Sequence, residues 1–215
     1  MEFSGKYHEQ TFPERYAAKH GASLSRRLND RREQTLLARA LSLTGENASI
    51  ADIGCGPGRF WDTLAGRAGE LYALDMSHAM LRFAMETHAG GAAMRLAAGS
   101  VLALPFADAA FDTVVSMRLL HHFGEPTSRQ LALTELARVA RRYVIVSLWT
   151  DGNFKAWRRR RLEARRPDRR YQNRHVVSRE ALAADFAAAG LTPIRHFDLI
   201  PGYSQWRYYL LGCSS

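Results

Sequence analysis

The sequence predicts an α/β fold: a doubly wound, mostly parallel sheet with an antiparallel edge strand, in one domain over residues 1–215. Three observations carry this. Short apolar runs alternate with stretches of helical periodicity, the pattern of strands covered on both faces by crossover helices. The first run, Ile50-Ala51-Asp52-Ile53, ends in Gly54-Cys55-Gly56-Pro57-Gly58, with glycines on alternate positions. The second, Leu71-Tyr72-Ala73-Leu74, ends in Asp75, 23 residues after Asp52. A glycine loop after one strand and a carboxylate ending the next form a nucleoside-binding arrangement.

The elements follow in order. Residues 8–43 read as helical, because Leu24, Leu28, Leu36, Leu37, Ala40 and Leu41 recur at helical spacing among charged residues, and residues 1–45 are expected to form an N-terminal helical cap. Strands are expected at 49–53, 70–74, 93–97, 111–116 and 143–149, with helices near 59–67, 77–88, 127–141 and 178–189. Ser178 suits the N-cap of the last helix and Gly190 its stop. Residues 193–198 and 205–211 read as a closing hairpin. Residues 150–177 break the alternation with Gly152, Asn153, Pro167 and an arginine-rich run. An insertion after the fifth strand sits above the carboxyl ends of the strands, and this one reads as a lid.

Composition bounds the function. A chain of 215 residues with 47% hydrophobic content fits one ordinary core. No apolar run approaches the roughly 20 residues that span a bilayer. The first residues show no charged region followed by an apolar one, so no signal peptide is expected and the expected compartment is the cytoplasm. Cys55 and Cys213 read as free thiols, and no cluster has metal-ligand spacing. Net charge is +9. Between Trp157 and Tyr171, eight arginines stand against Glu163 and Asp168, a local excess of 8 − 2 = +6. Such a run faces water or an anionic partner.

The glycine loop leaves two cofactor readings. A dinucleotide fold uses G-x-G-x-x-G with a helix N-terminus facing a pyrophosphate. Here the spacing is G-x-G-x-G, and Pro57 gives up an amide donor. That suits a ligand with a ribose and no pyrophosphate, such as S-adenosylmethionine. Two later segments follow in order: Leu96-Ala97-Ala98-Gly99-Ser100-Val101-Leu102-Ala103-Leu104-Pro105-Phe106, then Phe111-Asp112-Thr113-Val114-Val115-Ser116-Met117-Arg118-Leu119-Leu120-His121-His122. Together with the loop and Asp75, the set resembles the class I S-adenosylmethionine-dependent methyltransferases, in particular the broad bacterial group that modifies quinones and small molecules. The resemblance covers residues 45–148 well and the flanks loosely.

The resemblance implies a Rossmann-like, seven-stranded sheet and a cofactor site. Gly54, Cys55, Gly56 and Gly58 would cradle the methionine part of the cofactor, Asp52 would accept from its ammonium, and Asp75 would hold both ribose hydroxyls. Met76 would lie against the adenine. Ser100 stands where the family usually has an acidic residue for the adenine amino group; its hydroxyl, helped by the backbone of Val101, would be a weaker partner. Met117 and Arg118 would border the cofactor. His121 matches a position often held by histidine, read either as a general base or as a packing residue at a helix start. Ala140-Arg141-Arg142-Tyr143 replaces the family's common Pro-Gly-Gly turn, implying a tighter, more basic loop. Tyr7, Tyr16, Tyr203 and Trp206 are further candidates to border the pocket. The implied activity is methyl transfer. The acceptor is read first as a small or lipid-linked, anionic molecule, with RNA as the alternative because of the basic lid. A non-catalytic cofactor-binding protein is the third reading, with Ser100 as its footing.

Overall fold

The computed structural model describes residues 23–88, 94–165 and 174–214. Helix α1 spans Leu24–Ser42, and β1 (Asn47–Ile53) leads through the glycine loop into the short α2 (Trp61–Ala65). Strand β2 (Ala68–Asp75), α3 (His78–Thr87), β3 (Met94–Ala98) and β4 (Phe111–Ser116) follow. A 3-10 turn at Leu120–His122 precedes α4 (Pro126–Val139), which runs directly into β5 (Ala140–Thr150). Helix α5 (Phe154–Ala164), the two-residue β6 (Val176–Val177), α6 (Arg179–Ala188), β7 (Leu191–Asp198) and β8 (Trp206–Cys213) complete the order.

Local chemistry sets the helix starts. Ser23, Ser77, Asn153 and Ser178 each accept a hydrogen bond from the N–H three residues on, so the N-cap expected at Ser178 is present. Helix α4 instead opens with Pro126, whose missing donor costs nothing in a first turn. Gly190, at φ +69°, follows the end of α6 as expected.

The sheet order is β3-β2-β1-β4-β5-β8-β7, with β6 added beside the end of β5. All pairs are parallel except those of β8, which runs against both β5 and β7. The seven-strand expectation thus matches the main path, and the closing hairpin supplies the antiparallel pairing at that edge. Adjacent residues on each strand enter opposite cores. Val114, Val144, Val146, Tyr209 and Leu211 pack with Leu133 and Leu136 of α4 and Phe186 of α6. Val115, Ile145, Tyr208 and Leu210 pack with Leu37 and Leu41 of α1, Trp61 of α2 and Ala84 of α3. Arg129 of α4 and Asp185 of α6, both buried, join across 2.6 Å.

One expectation changes. Residues 140–143 form no loop: they are the first residues of β5, whose Arg141 bonds Asp112 and whose Arg142 bonds the carbonyls of Thr44 and Glu46. The basic side chains there hold the base of the sheet together. The segment read as a lid contains helix α5 and strand β6 on either side of residues 166–173, which are not described. Residues 1–22 of the expected cap, including Tyr7 and Tyr16, also lie outside the described residues.

Candidate functional site

The strand order reverses between β1 and β4, and the segments leaving their carboxyl ends diverge there. Ligands of open α/β sheets bind in that crevice. The glycine loop leaves β1 with Gly54 at φ +75°, Gly56 at +56° and Gly58 at +75°, a left-handed backbone that side chains resist. The three glycines differ in what surrounds them. A Cβ on Gly54 would meet Leu119 at 2.8 Å, and one on Gly58 would meet Trp61 at 2.7 Å. A Cβ on Gly56 would enter open space, with nothing within 4 Å. Gly56 is therefore the point where a ligand can approach bare backbone.

The loop is tied to the end of β2. The N–H groups of Gly54 and Cys55 donate to the Leu74 carbonyl, and the Gly56 N–H donates to Asp75 Oδ2 at 2.8 Å. Asp75 Oδ1 accepts from Ser77 N–H at 2.8 Å, orienting the carboxylate. Burial pushes the Asp75 carboxyl upward, while the backbone donors Ser77, Gly56 and Met76 pull it back. Asp52, 1% exposed on β1, has an Oδ2 with no hydrogen-bond partner. Burial first, and the nearby Asp75 charge second, push its carboxyl to about 7. The Trp61 indole N–H opposes this from nearby, although Trp61 Nε1 forms no hydrogen bond of normal geometry. A buried carboxylate with one oxygen left without a partner, beside an open backbone site, is suited to receive a cationic group.

The remaining predicted residues divide. Met76 is 49% exposed just beyond Asp75. Cys55 is buried, with its thiol pushed well up by burial. Val101 and Met117 are buried in the two cores. The Ser100 hydroxyl accepts from Leu102 N–H at 3.2 Å, closing a local turn. His121 is 2% exposed; its ring lies 4.0 Å from His122, 4.7 Å from Trp206 and 5.2 Å from Trp149. Burial, then the neighbouring cations and histidines, hold its pKa far below the usual histidine range, so the imidazole is neutral. Its Nδ1 has no partner.

Sequence reasoning missed the support beneath the loop. Glu33 of α1 is buried and bonded to Arg59 at 2.6 Å, while Gln34 donates to the Arg59 carbonyl at 2.8 Å. Arg59 also pairs with Asp30. Arg118, which the resemblance placed beside the cofactor, joins this support and adopts φ +61°. Its N–H donates to Ser147 Oγ at 2.8 Å, and its guanidinium lies 3.4 Å from Glu33 and 4.7 Å over the Trp206 ring.

Residues 51–146 match the model of a methyltransferase domain family. That span contains the glycine loop, Asp52, Asp75, Met117 and His121 in one frame. Residues 51–146 thus form a methyltransferase domain. Its fold resembles that of a magnesium protoporphyrin IX methyltransferase from Synechocystis PCC 6803 crystallised with bound SAH: TM-score 0.71 at 16% identity, covering 89% of this chain and 88% of that one. It is 34% identical over 156 residues to a malonyl-[acyl-carrier protein] O-methyltransferase of Erwinia pyrifoliae, covering 69% of this chain and 56% of the relative. It is 31% identical over 119 residues to a tRNA U34 carboxymethyltransferase of Shewanella oneidensis, covering 52% of this chain and 34% of that protein. The chain thus spans about half, or less, of the length of these curated relatives. Among its described residues, no helix is long and apolar enough to cross a membrane, and no group of side chains could hold a metal ion.

Proposed function

We propose that the chain binds S-adenosylmethionine in the crevice between β1 and β4 and transfers its methyl group to a small or lipid-linked, anionic acceptor. The observation that carries the proposal is the Gly56–Asp75 pair: bare left-handed backbone facing open space, hydrogen-bonded to a carboxylate with acceptor capacity left over. Asp75 holds the ribose hydroxyls, and Met76 covers the adenine. Asp52 receives the ammonium group, which gives its orphaned Oδ2 a partner and restores its charge. Ser100, already bonded to the Leu102 N–H, adds little to adenine recognition.

The bound cofactor supplies an electrophilic methyl group, so the protein's task is to hold the acceptor in line and away from water. His121 serves that end by packing. Its ring is enclosed by Trp149, Trp206 and His122, and a proton placed on it would sit in a dry nest near Arg118. A site whose described residues offer no ready base suits an acceptor that arrives already deprotonated. The acceptors named for the two curated relatives, an acyl-carrier-protein conjugate and a tRNA, belong to different classes. The choice here therefore rests on this chain's own site.

Calorimetry with S-adenosylmethionine, S-adenosylhomocysteine and NAD tests the cofactor assignment; tight NAD binding would overturn it. Turnover against a metabolite extract, with mass spectrometry of the product, identifies the acceptor. Cofactor binding with no turnover on any fraction, RNA included, would favour the non-catalytic reading.

A further inference from the structure

Helix α5 places its residues in an unexpected order. Its one buried residue is Ala156, and Arg159 and Glu163, paired along the same side, are only partly exposed. The opposite side carries Phe154, Trp157, Arg158, Arg161, Leu162 and Arg165, all exposed. Phe154 is 47% and Trp157 52% exposed, large apolar side chains that the helix turns away from the protein. Only Arg159 reaches inward, over the Trp149 ring at 5.0 Å. The outward arginines are on the wrong side of the helix to grip a small molecule held beside Trp149.

The turn between β7 and β8 extends this face. Phe154 N–H donates to the Gly202 carbonyl at 2.9 Å and Lys155 N–H to the Tyr203 carbonyl at 3.1 Å, fixing the turn to the helix start. Ile200 and Tyr203, also exposed, join the apolar set. From Phe154 to Arg165 the sequence carries Lys155, Arg158, Arg159, Arg160, Arg161 and Arg165 against Glu163 alone. Aromatic side chains among arginines on the outer face of a surface helix are the composition of a helix that lies in a membrane interface.

We propose that α5 and the Ile200–Tyr203 turn form a docking surface for an anionic lipid bilayer, with the aromatic edges in the headgroup layer and the arginines on lipid phosphates. Two features favour a bilayer over RNA or an acidic protein. RNA bound without sequence preference stacks its bases on open ring faces, and here those faces are engaged. Tyr203 is stacked on Phe154 at 5.7 Å with the Lys155 ammonium 5.1 Å over its ring, and the Arg161 guanidinium lies 4.9 Å over Trp157. An acidic protein face would neutralise the arginines and leave the interleaved Phe154, Trp157 and Leu162 without an apolar partner. The proposal stands apart from the cofactor reading and does not rest on methyl transfer.

The chain carries its own reporter. Of its four tryptophans, Trp61, Trp149 and Trp206 are buried and Trp157 alone is exposed. Titrating the full chain with phosphatidylglycerol/phosphatidylcholine vesicles is expected to shift tryptophan emission to the blue, with quenching by brominated acyl chains. Vesicles of phosphatidylcholine alone should give little change, and added salt should weaken binding. The variant Arg158→Gln/Arg161→Gln/Arg165→Gln should lower the partition coefficient on the order of 100-fold. Phe154→Ser/Trp157→Ser, followed by sedimentation, should lower it as well. Unchanged Trp157 emission with anionic vesicles would overturn the proposal, as would equal binding by either variant. So would a shift produced by RNA or polyglutamate but not by vesicles.

Discussion

The Gly56 N–H and the Asp75 carboxylate meet at 2.8 Å, a hydrogen bond between the loop after one strand and the end of the next. Asp75 therefore has two tasks, shaping the loop and offering its remaining lone pairs to a ligand. Replacing it with alanine removes both. We expect Asp75→Ala to weaken S-adenosylmethionine binding on the order of 100-fold, the equivalent of about 2–3 kcal/mol for lost bonds to a charged acceptor. Asp75→Asn, which keeps one acceptor oxygen, should lose less. Titration calorimetry measures both; wild-type affinity in the alanine variant would remove Asp75 from the site.

The glycines should separate by surroundings. Gly56→Ala faces only the strain of a left-handed backbone, about 1 kcal/mol, since its Cβ meets nothing within 4 Å. Gly54→Ala and Gly58→Ala add contacts of 2.8 Å and 2.7 Å with Leu119 and Trp61. We expect Gly56→Ala to melt close to the wild type yet bind cofactor poorly, whereas the other two lose more stability. Thermal melts with and without S-adenosylhomocysteine decide this. If Gly56→Ala were stabilised by ligand as fully as the wild type, the cofactor would not lie against Gly56.

The sequence reveals some of these features and hides others for physical reasons. Strand positions were legible because Val114-Val115 and Val144-Ile145-Val146 are apolar on both faces, as a doubly covered sheet requires. The glycine loop and Asp75 were legible because few residues satisfy the backbone and charge demands there. Helix α5 was hidden because its apolar residues face outward, so no buried stripe marks it. The Glu33–Arg59–Arg118 support was hidden because its members lie up to 85 residues apart and meet only in the folded chain. The start of β5 was misread as a loop because Arg141 and Arg142 look like surface charge until their partners Asp112, Thr44 and Glu46 are seen.

His121 separates two outcomes. As a packing residue, His121→Ala leaves a cavity in a dry aromatic nest and should cost about 2–4 kcal/mol of stability. His121→Phe, which refills the nest, should recover much of the melting temperature and most of the turnover. As a general base, both substitutions would lower turnover roughly 100-fold or more, with no recovery in the phenylalanine variant. We expect the first pattern, measured by melting temperature and kcat together.

The Arg129–Asp185 pair, buried at 2.6 Å between α4 and α6, makes a stability prediction. Arg129→Met strands the Asp185 charge, which would retain only the bond from Gln130, and should cost about 3–5 kcal/mol. The double replacement Arg129→Met/Asp185→Leu removes both charges and should be clearly more stable than Arg129→Met alone. Urea denaturation of the three proteins tests the coupling; additive losses would show that the pair is not an energetic unit.

Asp52 makes stability depend on pH in a direction opposite to most paired carboxylates. Its carboxyl rises from an ordinary 3.8 to about 7 in the folded protein. Between those values the folded state holds a proton that the unfolded state has released. Stability from this group is therefore fully present below about pH 4 and is lost as pH rises to about 7. Asp52→Asn keeps the shape and removes the titration, so it should flatten that decline and melt higher than the wild type at pH 8. The same substitution removes the partner proposed for the cofactor's ammonium. It should therefore weaken S-adenosylmethionine binding while raising the melting temperature, a combination that a purely structural carboxylate would not give. In the wild type, binding should draw the Asp52 carboxyl downward and release a proton near pH 6.5, because the incoming cation favours the charged form. Calorimetry in buffers of different ionisation enthalpy counts that proton; none released in the wild type, or the same number in Asp52→Asn, would place the ammonium elsewhere.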